Sequence, residues 1–95
     1  MKNYIWAWRD EGRIYVNKAE TLEEIVEEII EYYLDEESEI VVKPHGKYLQ
    51  VQVASEEFEL DSVIDLNPIS VKEFLDELAG RFDREDHFEI MESDY

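Results

Sequence analysis

Cysteine is absent from this sequence, which excludes disulfides, thiolate metal sites and thiol catalysis and fits a reducing cytoplasm. Long apolar runs are absent as well. The opening MKNYIWAWRDEG holds none long enough for a signal peptide or a membrane span, so the expectation is a soluble, cytoplasmic protein. With three glycines and two prolines, the chain has no linker, no internal repeat and no low-complexity tract beyond an acidic bias. The scarcest chemistry is positive charge: nine Lys and Arg stand against 26 Asp and Glu, a formal net charge of −17. A field of that sign attracts basic partners and repels free nucleic acid and anionic membranes, so neither is an expected ligand.

What is present is the material of a core. Hydrophobic residues make up 44% of 95, with two Trp, six Tyr and four Phe, enough for one small globular domain over residues 1–95. Residues 3–9 (NYIWAWR) and 13–18 (RIYVNK) are aromatic and β-branched runs around Asp10, Glu11 and Gly12, a hairpin in which Gly12 takes the left-handed position. Thr21 and Glu24 form a capping-box signature, and Leu22, Ile25, Val26, Ile29, Ile30 and Tyr33 recur at helical spacing, which predicts a helix over 22–35. Residues 39–43 (EIVVK) and 47–54 (KYLQVQVA) flank Pro44, His45 and Gly46. There Leu49, Val51 and Val53 alternate with Tyr48, Gln50 and Gln52, a second hairpin with one wet face.

Phe58 and Leu60 alternate with Glu57, Glu59 and Asp61, a short strand near 57–61. Ser70 and Glu73 make another capping box ahead of the stripe Val71, Phe74, Leu75, Leu78 and Phe82, a helix over 71–82. From about residue 83 the acidic end either adds a strand at 87–91 or frays as a tail. The expected fold class is α+β, a small antiparallel sheet of two hairpins plus short strands packed against two amphipathic helices.

The charge is segregated. Residues 20–40 hold ten acids and no base, and residues 55–95 hold fourteen acids against three bases, whereas residues 1–19 and 41–54 are each net positive by two. On a helical wheel Glu23, Glu24, Glu27, Glu28, Glu31 and Asp35 occupy the side opposite the apolar stripe. The like-charged pairs 20/24, 23/27, 24/28, 27/31 and 31/35, at about 0.2 to 0.5 kcal/mol each, cost about 1 to 2.5 kcal/mol. Lysine at half of these positions would keep the face solvated and turn repulsion into attraction, so solubility alone does not account for the pattern. Glu23 to Glu31 put five carboxylates within about 12 Å of helix axis. Their spacing falls between that of phosphates along one DNA strand, about 3.4 Å, and along a duplex, about 1.7 Å. Glu23, Glu24, Glu27, Glu28 and Glu31, continued by Asp35, Glu36 and Glu37, are the candidate partner-binding surface.

Asp83, Glu85, Asp86 and Glu89 form a second candidate surface. With His87 they also offer metal-type ligands, but without the glycine and ligand spacing of an EF-hand loop, and no metal or cofactor is expected. Neither His45 nor His87 has a nucleophile and carboxylate arranged around it, so no catalytic residue is assigned and the chain is not expected to be an enzyme. Tyr4, Trp6 and Trp8 share one face of the first strand. That face is either core or an aromatic anchor for a protein interface.

A small, acidic, cysteine-free α+β chain with concentrated carboxylates resembles the phage and mobile-element proteins that mimic DNA, among them anti-restriction proteins, glycosylase inhibitors and some anti-CRISPR proteins. The resemblance covers composition and charge layout and carries no motif residue across. It implies an inhibitor, acting in the host cytoplasm if phage-encoded, whose partner is a basic nucleic-acid-binding protein. Two alternatives stand beside it: an immunity protein or antitoxin that caps one basic toxin, and an acidic domain whose charge serves solvation alone.

Overall fold

Tight turns set the registers on which the rest of the fold depends. The computed structural model describes residues 3–34, 37–56 and 58–93. Strands β1 (Asn3–Asp10) and β2 (Arg13–Ala19) are joined by a loop of only two residues. Glu11 and Gly12 both have positive φ, 47° and 84°, as a type I′ turn requires, and Asp10 therefore pairs with Arg13 and Trp8 with Tyr15. The loop is one residue shorter than the Asp10, Glu11, Gly12 reading, and a one-residue shift moves every β2 side chain to the other face. Tyr15 and Asn17 share the face of Trp6 and Trp8, and Ile14 and Val16 lie on the opposite one.

The second hairpin, β3 (Glu39–His45) and β4 (Tyr48–Ala54), turns through Gly46 and Lys47 with Gly46 at φ 61°. Pro44 and His45, expected in the turn, are in the strand. β3 is an edge strand, where a missing N–H is tolerated. β5 (Glu59–Asp65) begins after Phe58, runs beyond the expected end at 61 to the end of the alternation, and Glu57 lies outside the described residues.

Helix α1 (Leu22–Tyr33) is capped by Thr21, whose hydroxyl accepts from Glu24 N at 3.3 Å, while the Glu24 carboxylate accepts from Glu20 N at 3.2 Å. The reciprocal bond of the capping box thus goes to the residue before the cap. Helix α2 (Pro68–Arg81) begins three residues before the expected start. Its cap is Asn67, which accepts from Ser70 N at 2.9 Å, and Pro68 fits the first turn because its N–H would have no helical partner. The helix ends in a Schellman arrangement: Asp83 N donates to Gly80 O and Arg84 N to Ala79 O, with Asp83 at φ 55° where glycine is usual. The acidic end then forms β6 (His87–Ser93), paired antiparallel with β1, so it is a strand and not a frayed tail.

The class is α+β, and the described residues form six antiparallel strands in two three-stranded sheets, β2-β1-β6 and β3-β4-β5. The two hairpins fall in different sheets. α1 lies against β2 and β3, α2 against β5 and β6, and the helices touch each other, bridging the sheets. One core results, joining Trp6, Trp8 and Phe88 to Leu49 and Val51 through Ile25, Ile29, Val71 and Leu75. No helix among the described residues is long and apolar enough to cross a membrane.

Candidate functional site: an acidic helix beside an aromatic cleft

The apolar stripe of α1 is buried at Leu22, Ile25, Val26, Ile29 and Ile30, which turns its glutamates outward. Glu24, Glu27, Glu28 and Glu31 are exposed and Glu23 is half-buried, with no base in the last turn. Because α1 ends at Tyr33, three of the five like-charged pairs (23/27, 24/28, 27/31) lie inside the helix, and their repulsion is about 0.6 to 1.5 kcal/mol. Glu24 also holds the helix N-terminus through Glu20 N, so it is less free than the others to meet a partner. Glu37 is exposed beyond the helix, on a cleft it shares with Phe58, Arg81 and Phe82. Asp35 and Glu36 lie outside the described residues.

The second candidate surface does not hold together as one. Asp83 and Glu85 are exposed, but Asp86 is only 5% exposed, so this acid is a structural centre and not a contact residue. Three donors converge on its Oδ2: Tyr33 Oη at 2.6 Å, Arg84 Nε at 2.9 Å and Trp8 Nε1 at 3.1 Å. Arg84 extends the network by donating from Nη2 to Asp10. Burial alone pushes the Asp86 carboxyl up, but the bonds from Tyr33, Arg84 and Trp8 outweigh it and hold it below the usual carboxylate range. Burial and the adjacent Asp86 push the Tyr33 phenol far up, so Tyr33 remains a donor at any ordinary pH. Glu89 pairs across from Ala7, on the sheet face turned away from Asp86 and Phe88.

Tyr4, Trp6 and Trp8 are largely core: the two indoles are buried and Tyr4 packs against the cluster. Between that face and α1 remains a cleft of about 410 Å³, with Trp6 and Ile29 deepest and Trp8, Tyr15, Tyr32, Asn17, Glu28 and Glu31 around it. Such a volume falls within the range of small-ligand sites. The Trp8 ring meets Tyr32 edge-on at 4.5 Å and Tyr15 at 5.5 Å between centroids, while Tyr32 and Tyr15 are 55% and 41% exposed. Tyr15 and Asn17 were not among the sequence-derived candidates. The signal that finds them is the Glu-Gly pair read as a two-residue turn, which places Tyr15 opposite Trp8.

The same register exposes Ile14 and Val16 on the outer face of the first sheet, flanking β1, with Met91 of β6 on its other side. This apolar face also carries Arg9 and Lys18, with Glu89 across from Ala7. His45 and His87 are both exposed, and among the described residues no group of three or more His, Cys, Asp or Glu is placed to hold a metal ion. What the arrangement offers chemically is attraction for cations along α1 and aromatic surface beside it. Compared with known proteins, the chain matches no family model, no curated protein and no solved structure.

Proposed function

We propose that this protein is a small acidic inhibitor that binds the basic nucleic-acid-binding surface of another protein, such as a nuclease, CRISPR effector, restriction enzyme or repair enzyme, and competes there with DNA or RNA. The observation that carries the reading is the outward row of Glu23, Glu24, Glu27, Glu28 and Glu31 on one helix with no intervening base. A groove lined by Lys and Arg to hold phosphates accepts a rod of carboxylates at similar spacing, and long-range attraction speeds the encounter. The chain acts by occupying a surface and catalyses nothing.

The test is capture of a nucleic-acid-binding protein by the tagged chain, followed by competition with duplex DNA. Glu27→Lys, Glu28→Lys and Glu31→Lys together should abolish capture. The same change makes pairs 23/27 and 24/28 attractive, so melting should be unchanged or raised by the equivalent of about 1 kcal/mol. Glu24 is left in place because it caps the helix. Full binding by the triple variant refutes the role of α1, and reversal of the exposed Asp83 and Glu85 is the matched control. The exposed apolar face of Ile14, Val16 and Met91 favours the second reading, an immunity protein or antitoxin, in which the partner would be indifferent to DNA.

A further inference from the structure

The cleft beside α1 has two properties that seldom coincide without a reason. Its walls are aromatic, from Trp8, Tyr15 and Tyr32, and its helix side carries the carboxylates of Glu28 and Glu31. Aromatic faces attract cations through their quadrupole, and carboxylates at the rim add charge and hydrogen-bond acceptors. An anionic or purely hydrocarbon occupant would use one feature and be opposed or unserved by the other.

We propose that this cleft is an anchor site for the guanidinium of an arginine side chain on the protein partner. The inference rests on the reading of the chain as a binder of a basic surface, and it names the contact that gives that binding its specificity. Arginine suits the geometry better than lysine, because a planar guanidinium stacks on aromatic rings while its edge pairs with carboxylates. The structure already holds one such contact: the Arg84 guanidinium carbon is 5.7 Å from the Tyr32 ring centroid and 5.2 Å from that of Tyr33. Arg84 is itself balanced by Asp10 and Asp86, so it leaves the field of Glu28 and Glu31 at the cleft largely intact.

The experiment titrates Nα-acetyl-arginine amide into the whole protein at physiological salt, following indole and amide NMR signals. The controls are Nα-acetyl-citrulline amide, which keeps the shape without the charge, and Nα-acetyl-lysine amide. The expected result is saturable shifts confined to Trp8, Tyr15, Tyr32 and their neighbours, with citrulline and lysine each bound more weakly by about threefold or more. Glu28→Gln with Glu31→Gln should weaken arginine binding by about threefold or more, and Tyr32→Leu likewise, whereas Glu73→Gln with Glu77→Gln, the same loss of charge on exposed positions of α2 outside the cleft, should not. Tyr32 is exposed, so its replacement leaves the core in place, and a melting curve on each variant verifies this.

Equal binding of citrulline would make the cleft an apolar slot, and equal binding of lysine would remove the guanidinium preference. Equal weakening by both Gln pairs would reduce the effect to the general acidic field, and each of these outcomes overturns the proposal. Because the probe is a single amino acid, binding in the cleft without any DNA-displaceable partner would defeat the functional reading alone. A captured partner that the Tyr32→Leu and Glu28→Gln, Glu31→Gln variants hold unchanged would defeat the anchor alone.

Discussion

Replacing Asp86 by alanine should be among the most destabilising single changes available, because it strips three donors of their shared acceptor. Trp8 Nε1 and Asp86 are buried, Tyr33 Oη is half-buried, and Arg84 keeps its bond to Asp10. A buried donor left unpaired costs about 1 to 3 kcal/mol. Counting Trp8 and Tyr33 fully and the part-exposed Arg84 hardly at all gives a loss of about 2 to 6 kcal/mol. At about 4 to 8 °C per kcal/mol in a domain of this size, the melting temperature should fall by roughly 8 °C or more.

Urea unfolding followed by circular dichroism measures this directly. Asp86→Asn, which keeps one acceptor oxygen but loses the charge facing Arg84, should fall between wild type and alanine. The pH dependence supplies an independent check. A carboxyl held below its unfolded value contributes stability above about pH 4 and loses it as pH falls through the folded value. The gap between wild type and Asp86→Asn should therefore narrow only in acid, below about pH 4. A loss under about 1 kcal/mol for Asp86→Ala, or a gap that is constant with pH, would show that the network does not bind β1, α1 and the approach to β6 together.

The two tryptophans should respond differently to the same substitution. Trp6 Nε1 is buried with no partner among the described residues, so Trp6→Phe removes an unsatisfied donor while it shrinks the ring, and the net change should be within about 1 kcal/mol. Trp8→Phe loses a bond to a carboxylate and should be worse by about 1.5 kcal/mol or more in the same urea experiment; equal costs would contradict the assignment. Asp83 sits at positive φ and puts a negative charge at the C-terminus of α2, both unfavourable, so Asp83→Gly should raise stability by about 0.5 to 1 kcal/mol. Destabilisation in thermal melts would mean that the Asp83 side chain is needed where it stands.

The helix α1, the wet face of the second hairpin and the α+β class were legible because each rests on periodicity in an unbroken stretch of sequence. The start of α2 was misread because two capping signals overlap: Ser70 with Glu73 has the right spacing, but Asn67 followed by Pro68 precedes it and captures the helix first. The first hairpin shows a sharper limit. Whether Asp10 belongs to the loop or to the strand changes nothing in the alternation of β1 or of β2 taken separately, yet it decides whether Tyr15 or Ile14 faces the core side. Only the turn settles it, and with it the existence of the aromatic cleft. Asp86 was read as surface because it lies among acids. What buries it is contact with Trp8 and Tyr33, far away in the chain, which no local pattern contains.

The acids of this chain thus divide by physical role. Asp10 and Asp86 are enclosed with Arg84, and their charge is satisfied within the fold. Glu24 is partly committed to the helix end, and Glu27, Glu28 and Glu31 have no such internal use among the contacts described. Their mutual repulsion exists in the free protein and is relieved when cations of a partner come between them. Salt acts on the two states in opposite directions: it screens the repulsion and so stabilises the free chain, and it weakens the attraction to a basic surface. A row kept only for solvation would be as well served by interspersed lysines, which would add attraction at no loss of charge density. The unmixed row is a standing cost of about 1 kcal/mol in the free chain, and under the proposed function association with a basic partner would be the circumstance in which that cost is recovered.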